Sequence, residues 1–123
     1  MKAKEISDAF RACQQFITKE LEEWDGGAAF QEDAWEREEG GGGFTRTFKN
    51  GRIIEKGGVA FSAVHGKVSD AMRKQLQLEG DSFYATGVSI VLHPKHPLHP
   101  IIHMNVRYFE IDDHTYWFGG GID

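Results

Sequence analysis

The sequence is poor in several residue types, and each scarcity excludes a class of protein. Its single cysteine, Cys13, excludes an internal disulfide and fits a reducing compartment. No apolar run is long enough to cross a bilayer, and we expect no signal or transit peptide because the first residues lead straight into a helical pattern. Acidic residues outnumber basic ones by 19 to 14, which argues against a nucleic-acid or anionic-membrane surface. The composition of these 123 residues predicts one cytoplasmic globular domain.

Proline is also scarce, and all of it lies in one short segment, at Pro94, Pro97 and Pro100. These prolines predict an extended connection and forbid a helix. Histidines occupy the same region, at His93, His96, His99 and His103. A polyproline-like stretch has about three residues per turn, so the first three could share an edge and bind a metal. The alternative for His96 and His99 is a rigid connector whose imidazoles are solvated.

An amphipathic helix is predicted from Lys4 to Trp24. Its apolar residues recur at helical spacing, at Ile6, Ala9, Phe10, Cys13, Phe16, Ile17, Leu21 and Trp24. We therefore place Cys13 in the core. Asp25-Gly26-Gly27 ends the helix, because glycine accepts the left-handed cap conformation.

Most of the remaining segments read as strands. Predicted strands cover Phe44–Phe48, Arg52–Lys56, Val59–Val64, Phe83–His93, Ile101–Glu110 and Thr115–Phe118. Asn50-Gly51 predicts a hairpin turn, and Ile111–His114 another turn. Ser69 caps a short helix, Asp70–Leu78. An early helix followed by hairpin-connected strands predicts an α+β fold with an antiparallel sheet.

Two glycine runs have competing interpretations. Gly40–Gly43 lacks the Lys-Ser/Thr of a phosphate loop, so it is a flexible lid, a close backbone approach to a flat ligand, or a plain linker. Gly119–Gly121 is typical of a turn that bends the backbone beside a site and presents Asp123. For Asp123 the alternative is fraying.

The strand Ile101–Glu110 carries the strongest functional pattern. Alternation places His103, Asn105 and Arg107 on one face, and Ile102, Met104, Val106 and Tyr108 on the other. If the preceding strand is a neighbour, Ser89 and His93 join the polar face. Arginine binds carboxylates or phosphates, histidine carries a proton near neutral pH, and serine and asparagine orient a ligand. This face therefore suits acid–base chemistry on an anionic small molecule, unless it is a polar network that only joins strands.

Several segments together resemble the oxygen-dependent coproporphyrinogen-III oxidase family over nearly the whole chain. They are Trp35–Gly43, Glu55–Val59, Gly87-Val88-Ser89, His93-Pro94, His103–Phe109 and Trp117–Asp123. The resemblance implies a flat antiparallel sheet covered by helices, a homodimer, and oxidative decarboxylation of coproporphyrinogen III to protoporphyrinogen IX in haem synthesis, with O2 as acceptor.

The resemblance also implies residue roles. Ser89, Asn105, Val106 and Arg107 match substrate-binding positions. His103 matches the proton donor, and Asp123 matches the aspartate that holds the pyrrole N–H groups. No organic cofactor is implied, and a divalent metal on His93 and His103 is left open.

Family members are longer and continue past the aspartate into a Leu-Thr-Pro segment. We therefore expect residues 1–123 to be the N-terminal portion of one domain, inactive or nearly so alone. Two other functions stay open: a metal-dependent oxygenase using His93 and His103, with His99 as a further candidate ligand, and a non-catalytic tetrapyrrole-binding module.

Overall fold

The computed structural model describes residues 2–77, 79–112 and 115–123. Its elements are α1 (Lys2–Asp25), β1 (Gln31–Glu36), β2 (Gly41–Lys49), β3 (Ile54–Lys67), α2 (Asp70–Leu76), β4 (Ser82–Pro94), β5 (Ile102–Ile111) and β6 (Thr115–Ile122). The strands form one six-stranded sheet in the order β1-β2-β3-β4-β5-β6, each antiparallel to its neighbours. The predicted α+β class with an antiparallel sheet is confirmed. No helix in these ranges is long and apolar enough to cross a membrane.

The hydrophobic core lies between α1 and one face of the central strands. Val59 and Phe61 of β3 and Val88 and Ile90 of β4 form its buried cluster. Helix α1 packs Phe10, Ile17 and Leu21 against this cluster, and β5 adds Met104. Because strand side chains alternate, the opposite face of the same strands is left for other groups.

Helix α1 is confirmed, but its buried face differs from the predicted one. Phe16 and Trp24 are 61% and 62% exposed, and Cys13 is only partly buried. Polar Gln14 and Thr18 are fully buried instead. The Gln14 amide donates 2.8 Å hydrogen bonds to the carbonyls of Phe44 and Val59, and such bonds offset the cost of burying an amide. The apolar repeat therefore predicted the helix correctly, but the face that contacts the sheet is rotated by part of a turn from the predicted one.

Asp25 joins the end of α1 to the β2–β3 hairpin. Its buried carboxylate accepts backbone N–H bonds of 2.7–3.0 Å from Gly27, Arg52, Ile53 and Ile54. Burial raises the pKa of Asp25, but these N–H donors together outweigh burial and hold the pKa below its ordinary value. The predicted Asn50-Gly51 turn is confirmed, with Asn50 at φ 57°. Gly26 follows the helix at φ 70°, as predicted.

Apart from Gly40, which precedes β2, both glycine runs lie in strands rather than in loops. Strand β2 begins at Gly41, and the lid and linker interpretations of Gly40–Gly43 are wrong. A Cβ on Gly43 would clash with the Phe61 carbonyl oxygen, so close strand packing requires glycine there. Gly57-Gly58 do not interrupt β3, which runs unbroken. β6 continues through Gly119–Gly121, so the predicted turn there is also wrong.

Two predicted boundaries fall partly outside the described residues. Helix α2 starts after Ser69, whose hydroxyl accepts the Met72 N–H at 3.1 Å, as predicted. Its predicted last residue, Leu78, lies outside the described ranges, as do Asp113 and His114 of the predicted turn.

Candidate functional site

The predicted alternation along β5 is confirmed. Met104 packs against the core cluster and Tyr108 is fully buried, so the even-numbered residues face α1. His103, Asn105 and Arg107 lie on the opposite face of the sheet, hereafter the site face. Val106 lies on the α1 side, so its backbone rather than its side chain can reach a ligand on the site face.

Strand β4 brings the predicted partners to this row. Ser89 lies directly opposite Asn105, and Gly87 directly opposite Arg107. Val91 is the direct neighbour of His103. His93 is therefore a diagonal neighbour of His103, at a separation of about 7–8 Å between such positions. The predicted polar patch exists as one connected surface, with His93 at its margin.

Strand β6 completes the row from the other side. His103 and Asp123 exchange both backbone hydrogen bonds, at 3.1 and 2.7 Å, which argues against the alternative that Asp123 frays. The His103 Nδ1 lies 3.9 Å from the Asp123 Oδ2. The two side chains are 47% and 91% exposed, respectively. At this distance the groups form an ion pair only when the imidazole is protonated, and both can still bind a ligand.

Arg107 differs from most other arginines of the chain. Arg11 and Arg46 both bind Glu32, and Arg37 binds Glu39. The Arg107 guanidinium makes no hydrogen bond or ion pair with any residue in the described ranges. Because this side chain is also exposed, its donors are available to an external anion.

A cavity of about 220 Å³ opens on the site face beside Arg107. Its lining is mostly small and comprises Ala60, Ser62, Val64, Ala85, Thr86, Gly87, Val88, Ser89, Val106 and Arg107. Pockets that enclose a small molecule usually measure roughly 300–1,000 Å³. This cavity therefore accommodates one edge of a large ligand rather than the whole.

The site face does not complete a metal centre by itself. Within the described ranges, no three or more His, Cys, Asp or Glu side chains are grouped to hold a metal ion. Two neutral imidazoles, His93 and His103, fall short of the three or four protein ligands that zinc takes. The metal interpretation stays a prediction.

Comparison with known proteins identifies the family. A family model described as coproporphyrinogen III oxidase matches residues 5–123. The chain belongs to the coproporphyrinogen III oxidase family. The oxygen-dependent coproporphyrinogen-III oxidase of Prochlorococcus marinus (strain MIT 9313) is 47% identical over 112 residues, which are 89% of this chain and 32% of that protein. The enzyme of the same name from Prochlorococcus marinus subsp. pastoris (strain CCMP1986 / NIES-2087 / MED4) is 50% identical over the same shares. The chain spans about a third of the length of these relatives.

Family membership confirms the resemblance seen in the motifs, but sequence reasoning missed part of the site. Ala60 and Ser62 of β3 line the cavity and were not singled out. Their signal was available, because these small residues alternate with Val59 and Phe61 and so had to face away from the core.

Proposed function

We propose that this chain supplies the substrate-binding wall of an oxygen-dependent coproporphyrinogen-III oxidase. The observation that carries the proposal is the Arg107 guanidinium, which pairs with no residue in the described ranges. It stands beside an open cavity, in one row with Asn105, His103 and Asp123. Relatives bearing that name share about half of the aligned residues.

The charge of the proposed substrate explains why an arginine lies on the site face. Coproporphyrinogen III carries four propionates, and two of them become vinyl groups. For each, –CH2–CH2–COO⁻, O2 and one proton give –CH=CH2, CO2 and H2O2, so oxygen is reduced as the side chain is oxidised. A guanidinium binds a carboxylate through two parallel N–H bonds, which fixes its orientation as well as its position. Arg107 and Asn105 hold the substrate, with Ser89 opposite Asn105.

His103 and Asp123 have the chemistry for the proton steps. The exposed Asp123 carboxylate can accept hydrogen bonds from pyrrole N–H groups. Its Oδ2 lies 3.9 Å from the His103 Nδ1. A deprotonated pyrrole is electron-rich and reacts directly with O2. His103 donates or accepts the proton that the step requires. O2 is then the co-substrate, and we propose no organic cofactor.

The assembly and location of the protein follow the family expectation. We propose a homodimer that works in the cytoplasm on a free tetrapyrrole, without nucleic acid. The spacing of His93 and His103 permits a divalent metal only with ligands from outside the described ranges. No observation favours the metal-dependent oxygenase over the oxidase.

The substrate-binding role is tested by anaerobic titration of the purified chain with coproporphyrinogen III, followed by tryptophan fluorescence. We expect saturable binding that Arg107→Ala weakens by at least about tenfold, the loss of one charge-assisted interaction. Arg52→Ala is the matched control, because Arg52 also has no side-chain partner among the described residues. A wild-type chain that does not bind, or an Arg107→Ala variant of unchanged affinity, contradicts the proposal.

Catalysis is tested in air with this segment carried in a full-length relative, because residues 1–123 span about a third of the relatives' length. O2 consumption and vinyl product are expected to fall in His103→Ala, with substrate affinity changed less, while exposed His65→Ala serves as the control. Binding without oxygen consumption by that protein before any substitution would favour the non-catalytic, tetrapyrrole-binding alternative. An unaltered rate in His103→Ala would remove His103 from the proton step.

A further inference from the structure

Two glycines of β6 have no structural reason to be glycine within the described part of the chain. Neither Gly119 nor Gly121 has a positive φ, and a Cβ added to either would meet no described atom within 4 Å beyond its sequence neighbours. Two neighbouring strand glycines differ: a Cβ on Gly120 would lie 2.5 Å from the Asn105 carbonyl oxygen, and one on Gly87 would lie 2.5 Å from that of Val106. In β3, Gly58 and Gly66 would accept a Cβ at ordinary contact distances of 3.8 and 3.4 Å. Glycine inside a strand is less favourable than alanine, and no contact within the described residues offsets that cost at these two positions.

The two positions are adjacent to the polar row. Gly119 lies directly opposite Arg107, and Gly121 directly opposite Asn105. Both point to the site face, as does Asp123, one residue beyond the end of β6. The result is a strip of bare backbone bordered by the exposed Asp123 carboxylate and by the Arg107 guanidinium, which has no partner among the described residues.

We propose that Gly119 and Gly121 form the floor on which the ring face of the ligand lies. The inference rests on the proposed function and specifies what the site recognises: a broad pyrrole-type ring system with carboxylates at its periphery. Glycine in a strand often marks a close approach of a ligand to the backbone. A methyl group there would raise the floor by about one C–C bond, roughly 1.5 Å. Such a shift would move the carboxylates away from Arg107 and the pyrrole N–H groups away from Asp123.

The character of the two sheet faces favours a ligand over a covering protein segment. On the α1 side, the exposed Val106, Phe118 and Ile122 are apolar. On the site face, the glycine strip is bordered by Arg107, Asn105 and Asp123, and at its other end by Trp117, which stacks on Phe109. A packed protein layer suits the first surface, and a carboxylated ring with inward N–H donors suits the second.

The test compares Gly119→Ala and Gly121→Ala with wild type and with Gly66→Ala. The control lies in β3 opposite Phe83, away from the row, and its new Cβ would make an ordinary 3.4 Å contact with the Phe83 ring. Thermal unfolding measures the fold, and anaerobic titration with coproporphyrinogen III measures binding. We expect Gly121→Ala to unfold at or above the wild-type temperature, because alanine is favoured in an open strand position. We also expect it to bind at least about tenfold more weakly, since the shift would weaken the charge-assisted hydrogen bonds between a carboxylate and Arg107.

The outcomes separate this inference from the proposed function. Suppose that the wild-type chain binds in an Arg107-dependent way and that both glycine variants keep the wild-type affinity. This result would contradict the proposed role of Gly119 and Gly121 and would leave the proposed function supported. A lower unfolding temperature in the glycine variants, but not in Gly66→Ala, shows a purely structural need and also overturns the floor. Failure of the wild-type chain to bind overturns the proposed function, and the floor with it.

Discussion

At the scale of single residues, Asp25 shows how a buried charge can hold a fold together. Four backbone N–H groups from two segments converge on its carboxylate. A lone buried carboxylate is strongly unfavourable, but several N–H donors satisfy its lone pairs without a counter-ion. The terminus of α1 and the loop before β3 are therefore fixed by one side chain.

Replacing Asp25 tests this arrangement. Asp25→Asn puts an NH2 group against backbone donors, so the free energy of unfolding at pH 7 should fall by about 1–3 kcal/mol. Because the folded pKa lies below the ordinary value of 3.8, the carboxylate stabilises the protein above the unfolded pKa and loses this effect as pH falls through the folded pKa. Urea unfolding followed by circular dichroism at pH 7 and pH 2 measures the loss of stability in the variant and its dependence on pH. A difference between variant and wild type that is equally large at both pH values would contradict the account.

At the scale of elements, strand alternation was the most informative sequence pattern. It placed His103, Asn105 and Arg107 together correctly, because a period of two fixes the face of every residue once the strand is known. The glycine-rich ends of β2 and β6 could not be assigned this way. Glycine has weak strand propensity, and only the neighbouring carbonyls of β3 and β5 show why Gly43 and Gly120 are extended and bare.

The face of α1 was misjudged for a related reason. Hydrophobic periodicity assigns only apolar side chains to the buried face of a helix. The centre of the contact between α1 and the sheet is instead Gln14, whose amide links α1 to β2 and β3. A polar residue becomes a core residue when backbone carbonyls are available to it, and the sequence alone does not show those carbonyls.

Gln14 therefore provides a test at the element scale. Gln14→Leu keeps helix propensity and bulk, but it leaves the bonded carbonyls of Phe44 and Val59 without that donor. We expect a loss of about 1–3 kcal/mol in the free energy of unfolding. Gln15→Leu is the matched control, because the Gln15 side chain, next to Gln14 in the sequence, is exposed. This substitution should change the free energy of unfolding by less than about 0.5 kcal/mol. Equal effects of the two substitutions in urea unfolding would show that the buried amide is not a specific link.

At the scale of the whole molecule, the two faces of the sheet differ in what covers them. Helix α1 covers β3 and β4, while the site face carries the polar row and the cavity. On the α1 side the sheet extends beyond the helix, and Phe118 and Ile122 of β6 flank the position opposite Val106 of β5. These three residues are 63%, 73% and 42% exposed. They adjoin the buried Tyr108, whose ring centroid is 5.0 Å from that of Phe118.

A contiguous apolar surface of this kind should bind a hydrophobic dye, whereas scattered apolar residues should not. We expect anilinonaphthalene sulfonate fluorescence to rise with the native wild-type chain and to fall at least about twofold in Phe118→Lys. Leu98→Lys is the control, because Leu98 is more exposed, at 85%, but lies in the proline-containing connection rather than on the sheet. Circular dichroism verifies that both variants stay folded. If Leu98→Lys lowers dye binding as much as Phe118→Lys does, the dye responds to single exposed side chains, and the β5–β6 surface is not a continuous patch.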